Sequence, residues 1–340
     1  MGRSPLPRPR AKRLPTVRAS WRYCSLHVSF AAVKLLLTSD LHLLPRWREA
    51  VLARLRQWIK TYRPEGLVIA GDLAVAPEAP NACRHLRDIF PNGPIALTLG
   101  NHDFWSDWHT GYGSLSEVID RHWVPAANQF AIHLLDLENL PLTEITLVGA
   151  YGHYDLGFRY PSLQYDGILV TREHYLAGRP PTLTRLRWRD FSHMPRDLDP
   201  VSVAQEQVRA LETKLRMIPK KHAFVVLHTP PFAALLGIPD ISTVSIEAPS
   251  VYAFFRAYLG NEQMGGLLRQ EKKRIIGVVC GHTHREVAPM NLGDFFGLNI
   301  GSDYGEPAAY LFETKTSRLT KVSGPNDSSL KVTEKGILSA

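Results

Sequence analysis

The sequence of 340 residues contains only three cysteines, no internal repeat and no apolar run long enough to cross a membrane. Three cysteines without regular spacing do not form a disulfide framework, which favours a reducing compartment. The most apolar stretch, residues 223–246, is interrupted by an acidic residue and two adjacent prolines, whereas a membrane helix needs about 18 apolar residues in a row. The sequence therefore predicts no transmembrane segment and a cytoplasmic location.

Acidic residues are absent from the first 39 positions, which carry eight Lys or Arg and so account for the whole formal excess of +8. Residues 40–340 are balanced, with 32 basic and 32 acidic residues. A folded part without net charge disfavours nucleic acid as a partner, although it does not exclude it. Residues 1–31 are rich in proline, which breaks the amphipathic helix of a transit peptide, so we expect them to form a flexible basic arm.

Apolar strand patterns and amphipathic helical patterns alternate through the first hundred residues of the chain. Hydrophobic residues make up 44% of the sequence and charged residues 21%, which is typical of a folded globular protein. Strands are predicted at residues 34–39, 66–70 and 94–99, and helices at 46–62 and 78–90. This alternation predicts parallel strands joined by crossover helices.

The pattern changes after residue 103, where aromatic and polar residues mix and no long helix is indicated up to residue 160. Helices are predicted at residues 200–218 and 249–270. Further strands are predicted at residues 130–134, 145–150, 223–227, 274–280, 295–300 and 308–312. Residues 321–340 are expected to form a frayed tail.

Five of the predicted strands are each followed at once by side chains that can bind a metal. These side chains are Asp40, His42, Asp72, Asn101, His228, His282 and His284. Each motif alone is compatible with a turn, a helix cap or a buried histidine. Because ligands of open α/β sheets bind at the carboxyl ends of the strands, we expect the seven side chains to converge. Nitrogen and oxygen donors without thiolate favour Mn, Fe or Zn, and such a set can hold two divalent ions about 3.5–4 Å apart.

Taken in order along the chain, these motifs resemble the signature of the calcineurin-like metallophosphoesterase superfamily. The motifs are Asp40-x-His42, Gly71-Asp72, Gly100-Asn101-His102-Asp103, His228 and Gly281-His282-Thr283-His284. The resemblance implies an α/β fold, a four-layer α/β/β/α sandwich of two mixed sheets, as one catalytic domain over residues 32–320. It also implies that one metal ion is bound by Asp40, His42, Asp72 and His284. The other ion would be bound by Asp72, Asn101, His228 and His282, so that Asp72 bridges the two.

The resemblance also implies a reaction, in which a hydroxide shared by the two ions attacks a phosphomonoester or phosphodiester in line. His102 would act as the acid or stabilise the transition state. Asp103 is expected to support the loop, or alternatively to cap the following helix. The partner is then a small-molecule phosphate ester. The alternatives are a nuclease of the same superfamily and a non-catalytic scaffold on this fold, and the oligomeric state is left open.

Departures from the patterns of known subfamilies narrow the resemblance. Leu73 and the residues after it replace the Val-Asp-Arg-Gly continuation of protein Ser/Thr phosphatases, and Val75 stands where purple acid phosphatases have a metal-binding Tyr. His102 stands where the lipid A precursor hydrolase of the superfamily typically has Arg. The remaining similarity is to the broad group of bacterial phosphodiesterases and phosphatases.

A long stretch without any predicted ligand separates Asp103 from His228. Its 124 residues exceed what the sandwich needs to reach its next strand, which predicts an insertion or cap within about residues 104–222 that determines specificity. Two groups of residues in this stretch are each compatible with two interpretations. The first group could form an aromatic wall for the substrate or simply pack in the core. The second group could form a basic strand face or a solvated edge. The first comprises Trp105, Trp108, Tyr151, His153, Tyr154, Arg159 and Tyr160, for most of which we favour core packing; the second comprises Arg185, Arg187 and Arg189.

Overall fold

Two six-stranded mixed sheets form the centre of the molecule in the computed structural model. The structure describes residues 33–106, 114–183, 185–194, 198–220, 222–238 and 251–322, all of which belong to one unit, Ala31–Ala340. Sheet A contains, in spatial order, β14 (Arg318–Lys321), β13 (Ala309–Glu313), β1 (Lys34–Thr38), β2 (Gly66–Ala70), β3 (Ile95–Thr98) and β4 (Ile132–Leu134). Sheet B contains β11 (Val287–Asn291), β12 (Phe296–Asn299), β10 (Ile275–Cys280), β9 (Ala223–Leu227), β6 (Thr146–Ala150) and β5 (Leu140–Pro141).

The central strands of both sheets are parallel, and antiparallel strands form both edges of sheet B and one edge of sheet A, whose other edge is the parallel strand β4. In sheet A, β1 to β4 run parallel and β13 pairs antiparallel with β1; in sheet B, β6, β9, β10 and β12 run parallel. A separate hairpin is formed by β7 (Gln164–Tyr165) and β8 (Ile168–Leu169). The helices are α1 (Arg48–Tyr62), α2 (Ala79–Ile89), α3 (Leu115–Val118), α4 (Val124–Phe130), α5 (Arg172–Ala177), α6 (Asp190–His193), α7 (Pro200–Arg216), α8 (Val251–Phe255) and α9 (Glu262–Gln270).

Alternate residues of the central strands face different layers, which produces the predicted four-layer sandwich. Leu36 of β1 faces the core formed with α1 and α2, whereas Leu35 and Leu37 face a second core shared with Phe224 of sheet B. Val225, the next residue of β9, faces a third core formed with α7 and α9. Because both faces of each sheet are covered, the central strands are apolar throughout, and this is why their positions could be predicted closely.

One helical segment was not predicted, because the sequence indicated no long helix between residues 104 and 160. In the structure, α3 is followed directly by a π-helical turn, Ile119–Trp123, and then by α4. Leu115, Val118 and Trp123 of this segment are buried in the core under sheet A. Pro125, which cannot donate a backbone hydrogen bond, lies at the start of α4 directly after the π-helical turn, so the regular helical periodicity is broken there.

Other local predictions were also wrong. Strands β11 and β14 were not predicted, because their residues are mostly half-exposed and lack a long apolar run. The described residues around Trp188 do not form the alternative basic strand, and Arg185, Arg187 and Arg189 are exposed on a loop that leads into α6. Trp108, the basic arm at residues 1–31 and residues 323–340 lie outside the described part of the chain, and the domain boundaries remain a prediction.

A fourth hydrophobic cluster lies apart from the three sandwich cores, and we refer to it as the aromatic cluster. It brings residues that follow β6, including Tyr154 and Tyr175, together with Phe254 and Tyr258 after the sandwich helix α7. Trp188 packs against this cluster, with its ring stacked 5.1 Å from that of Tyr258. The part of the predicted cap region before β6 belongs to the two sheets and their helices, so only the later part contributes to the aromatic cluster.

Two predictions concern the environment of the chain. Of the helices that the structure describes, none combines the length and the apolar character needed to span a bilayer. Cys83 and Cys280 are free and buried. The cytoplasmic location remains a prediction.

Candidate metal centre

The seven predicted metal ligands lie at the carboxyl ends of five strands and face one another across the two sheets. Asp40 and His42 follow β1, Asp72 follows β2, Asn101 follows β3, His228 follows β9, and His282 and His284 follow β10. Backbone hydrogen bonds hold these loops together: the N–H of His42 donates to Asp72 over 2.9 Å, and the N–H of Gly281 donates to His228 over 2.9 Å. The structure therefore brings together the side chains that the sequence pattern singled out.

The first group of side chains contains Asp40, His42 and His284. Their nitrogen and oxygen ligand atoms all lie within 4.8 Å of one another. The rings of His42 and His284 are stacked, with centroids 5.2 Å apart. Oδ2 of Asp72 lies 3.6 Å from Nε2 of His42 and so faces this group.

The second group contains Asn101, His228 and His282. Oδ1 of Asn101 lies 2.9 Å from Nε2 of His228 and 3.0 Å from Nδ1 of His282. The other oxygen of Asp72, Oδ1, lies 3.4 Å from Nε2 of His228. The two carboxylate oxygens of Asp72 thus face different groups, which is the geometry of a bridging ligand.

The remaining ring nitrogens of the second group show which tautomer each histidine adopts. Nδ1 of His228 lies 3.0 Å from the carbonyl oxygen of Ala70, and Nε2 of His282 lies 2.9 Å from that of Tyr258. Because a carbonyl only accepts, these two nitrogens carry the protons and the other two present lone pairs. Lone pairs of His228 and His282 therefore converge on the oxygen of Asn101 with no proton between them.

Burial tunes the ionisation of these side chains. Burial lowers the pKa of His42, His228 and His282 below the ordinary value for histidine, and neighbouring imidazoles lower that of His42 further. Burial, together with the negative charges of Asp103 and Asp40, raises the pKa of Asp72. Neutral imidazole is the form that binds metals, and nearby buried carboxylates favour a cation between them.

Strained backbone is concentrated in these loops. Ten described residues other than glycine have a positive φ, and half of them are predicted ligands: Asp40 (48°), His42 (38°), Asp72 (54°), His282 (72°) and His284 (54°). Such conformations cost of order 1–3 kcal/mol each and persist where the surrounding structure imposes them, which is common at functional sites. The packing of the loops thus holds these five residues in backbone conformations that cost free energy and that bring their side chains together.

Glycines next to the ligands permit this close approach. A Cβ on Gly100 would clash with Oδ1 of Asp72, and a Cβ on Gly281 would clash with Oδ2 of Asp40. Gly71, which has a φ of 83°, lies against the ring of His228. Each of these three glycines therefore makes room for a ligand from another loop.

A divalent cation fits this donor set. Oδ2 of Asp40 and Nε2 of His42 are buried and have no hydrogen-bond partner among the described residues. Unpaired buried polar atoms are costly, and a metal ion would satisfy them together with the lone pairs of the second group. The nitrogen and oxygen donors suit Mn, Fe or Zn.

His102 lies at the opening of the site, beside both groups. Its side chain is 17% exposed, and its Nε2 lies 4.0 Å from Oδ2 of Asp72. Its ring stacks on Trp105 with centroids 3.7 Å apart, and Trp105 stacks in turn on His193 at 4.4 Å. Tyr304, which was not predicted, stacks on the ring of His42 at 4.2 Å. We refer to these half-exposed rings of His102, Trp105, His193 and Tyr304 as the mouth of the site.

Three of the five other described members of the possible aromatic wall are buried, whereas Arg159 is exposed and Tyr160 is half-buried. Tyr151, His153 and Tyr154 are buried, as favoured from the sequence, whereas Trp105 is part of the mouth. Arg189 was considered only as part of a strand face, but its guanidinium carbon lies 5.6 Å from the centroid of the Trp105 ring.

Two buried carboxylates support the site without belonging to either group. Asp103 accepts hydrogen bonds from the backbone N–H groups of Asp72 (2.9 Å), Gly100 (2.7 Å) and Ala74 (2.9 Å), so it supports the loops, as predicted, rather than capping a helix. Asp190 was missed, although its Oδ1 accepts a hydrogen bond of 2.9 Å from Asn101. Its position in α6 follows no spacing that relates it to the other motifs, so the sequence contained no usable signal.

The sequence matches the model of the calcineurin-like phosphoesterase family over residues 33–286, which is more than half of the chain. No curated protein matches it. The structure is similar to that of phosphopantetheinyl hydrolase (PptH) from Mycobacterium tuberculosis, with a TM-score of 0.58, 16% identity, and coverage of 88% of this chain and 98% of the other.

Two further solved structures show weaker similarity. They are TT1561 of Thermus thermophilus (TM-score 0.49, 12% identity, 86% and 99% coverage) and a dimetal phosphatase from Danio rerio (TM-score 0.40, 12% identity, 82% and 92% coverage). The similarity to the mycobacterial enzyme supports the four-layer fold, and the family match covers all the motifs up to His284. The chain therefore belongs to the calcineurin-like phosphoesterase family.

Proposed function

We propose that this protein is a metal-dependent phosphoesterase that hydrolyses a small-molecule phosphate ester. Two divalent ions would be held by the ligand sets predicted from the sequence, with Asp72 bridging them. The observation that carries the proposal is the convergence of nitrogen and oxygen donor atoms from five loops, with the two oxygens of Asp72 facing different groups. When bound, two such ions lower the pKa of a water molecule to about 7 and neutralise charge on the phosphoryl group.

His102 is proposed to act on the substrate rather than on the ions. It lies at the mouth with Nε2 close to Asp72, and stacking on Trp105 holds its ring in place. From this position Nε2–H can donate a hydrogen bond to a phosphoryl or leaving-group oxygen. Such a donor stabilises the charge that develops in the transition state.

The mouth also suggests how the rest of the substrate is bound. Arg189 is exposed and forms no ion pair with another described residue, and its guanidinium lies beside Trp105. A planar leaving group can pack against the exposed part of these half-exposed rings, and Arg189 can pair with a second anionic group of the substrate. We therefore propose that substrates carry an anionic or planar group beyond the scissile phosphate.

The proposed function is tested by loading the purified protein with Mn²⁺ and measuring the hydrolysis of chromogenic phosphoesters. We expect turnover in the wild type, and loss of both bound metal and turnover in Asp72→Asn. Asp88→Asn is a matched control, because Asp88 is an exposed residue of α2, and this variant should behave as the wild type. A folded wild type that shows no turnover with Mn²⁺, Fe²⁺ or Zn²⁺ would refute the proposal.

A substrate panel would then resolve monoesters from diesters. It should contain nucleotides, cyclic nucleotides, sugar phosphates, phospholipid head groups and a phosphopantetheinyl ester, the last because of the name of the similar mycobacterial enzyme. Single-stranded DNA belongs in the panel as the test of the alternative nuclease activity. Preference for DNA over every small ester would replace the proposed substrate class with that alternative.

A further inference from the structure

Asp190, the first residue of α6, connects the aromatic cluster with the second group of the metal centre. Its side chain is buried, with 1% of the residue exposed. Oδ1 accepts hydrogen bonds from Nδ2 of Asn101 over 2.9 Å and from Nε1 of Trp105 over 2.7 Å. Oδ2 accepts a hydrogen bond of 2.9 Å from Nε1 of Trp188. A buried carboxylate with three N–H donors is thus fixed in one position.

We propose that Asp190 is a positioning residue that fixes the side-chain amide of Asn101 with its oxygen towards His228 and His282. This inference rests on the proposed metal centre, in which that oxygen is a ligand. An Asn side chain has two nearly symmetrical ends, one a donor and the other an acceptor, and only the acceptor can bind a cation. The choice between the two orientations must therefore be made by the surroundings of Asn101.

The contacts of Asp190 make this choice. Nε1 of Trp105 already donates to the same oxygen that faces Asn101, so this oxygen accepts from both neighbours. Rotation of the Asn101 amide by 180° would bring its oxygen against Oδ1 of Asp190 and its NH₂ group towards the metal ligands. A charge-assisted hydrogen bond would be replaced by repulsion between two acceptors, so the flipped orientation is strongly disfavoured.

The hydrogen bond between Asp190 and Asn101 acts directly on one of the two groups. The carboxylate of Asp190 contacts Asn101 of the second group directly, whereas the first group is built from residues that follow β1 and β10. In the second group, His282 is also oriented from the aromatic cluster, because its Nε2–H donates to the carbonyl of Tyr258. Loss of the Asp190 carboxylate should therefore lower the affinity for one of the two metal ions selectively. Removal of such an outer contact typically lowers metal affinity by about 10–100-fold.

The inference is tested by calorimetric titration of the full-length protein with Mn²⁺ and by the d–d absorption spectrum of its Co²⁺ form. Asp190→Leu removes both acceptor oxygens while keeping the branching of the side chain, and Asp190→Ser, whose hydroxyl is too short to reach Asn101, replaces it should the Leu variant not fold. We expect one of the two binding events to weaken by about 10–100-fold, the other to change by less than about threefold, and the spectrum of the weakened site to change.

Two variants separate positioning from a general structural role. Asp190→Asn keeps one oxygen that can accept from Asn101, so it should bind the weakened ion more tightly than Asp190→Leu does and the other ion equally well. Trp188→Phe removes the hydrogen bond to the other oxygen but keeps an aromatic ring beside Tyr258, and it should leave both binding events unchanged. The inference would be overturned if the affinities for both ions fell equally and in proportion to the loss of thermal stability. Wild-type metal binding in Asp190→Leu and Asp190→Ser would also overturn it. Binding of fewer than two ions by the wild type would instead overturn the proposed function on which it rests.

Discussion

Replacement of Gly100 by alanine tests whether the loops are packed as tightly as the site requires. Gly100 has no positive φ, so alanine is compatible with its backbone conformation. Its Cβ, however, would lie 2.5 Å from the backbone nitrogen of Asp72 and 2.8 Å from Cε1 of His228, and closer still to Oδ1 of Asp72. Relief of these contacts requires the backbone at Asp72 to shift, together with the carboxylate of Asp72 and the ring of His228.

The magnitude follows from these distances. Insertion of a methyl group into such a packed region costs about 1–3 kcal/mol of stability, which a folded domain of this size tolerates. Displacement of the ligands by a few tenths of an ångström or more affects both ions, because Asp72 faces both groups. We expect metal affinity to fall by about 100-fold and turnover by at least the same factor.

The assay measures metal content, turnover with p-nitrophenyl phosphoesters and the free energy of unfolding. Gly266→Ala is the control: Gly266 lies in α9, a Cβ there meets no atom within 4 Å, and this variant should gain about 0.5–1 kcal/mol of stability with unchanged turnover. A Gly100→Ala variant with wild-type metal affinity and turnover would refute the reasoning, since Asp72 and His228 would then not be held where the structure has them.

Three further results are expected. His102→Ala should retain both ions and slow the hydrolysis of p-nitrophenyl and alkyl esters by a similar factor of about 100. The reason is that burial and the neighbouring imidazoles lower the pKa of His102, which favours a neutral hydrogen-bond donor. Greater slowing of the alkyl ester would show instead that His102 transfers a proton. Arg189→Ala should raise the KM for substrates with a second anionic group more than the KM for nitrophenyl phosphate. Arg187 is also exposed, and Arg187→Ala should leave both KM values unchanged. An equal rise of both KM values in Arg189→Ala would contradict a role of Arg189 in binding. Asp136 follows β4, and its carboxylate accepts hydrogen bonds from the backbone N–H groups of Leu99 and Tyr151. Burial raises the pKa of Asp136 to about 6, so the stabilisation from its bound proton is complete below about pH 4 and is lost as the pH rises through about 6. Denaturant titrations should show the stability of the wild type relative to Asp136→Asn falling by up to about 3 kcal/mol between pH 4 and pH 7, and a constant difference would contradict the shift.

The parts of the fold that could be predicted are those in which both faces of a strand are covered. Strands such as β2 and β9 are apolar along their whole length, and their predicted bounds agree with the structure. The helical segment around Trp123 was missed because a π-helical turn and Pro125 interrupt its periodicity. Half-exposed edge strands lack a strong pattern, because only part of each side is buried.

The candidate site divides in the same way. Residues that follow a strand, such as Asp40 and His228, are placed by the sheet itself, so their convergence was predictable from the order of the strands. Tyr304 and Asp190 reach the site from loops and a short helix, whose positions depend on packing between distant segments. No local pattern in the sequence encodes such contacts, and only the structure reveals them.

The most direct test of the proposed centre is a crystal structure of the Mn²⁺-loaded protein with anomalous diffraction data. We expect two anomalous peaks about 3.5–4 Å apart, one beside His42 and the other beside His228, with the carboxylate of Asp72 between them. A single peak, or peaks away from the carboxyl ends of β1, β2 and β9, would contradict the dinuclear centre.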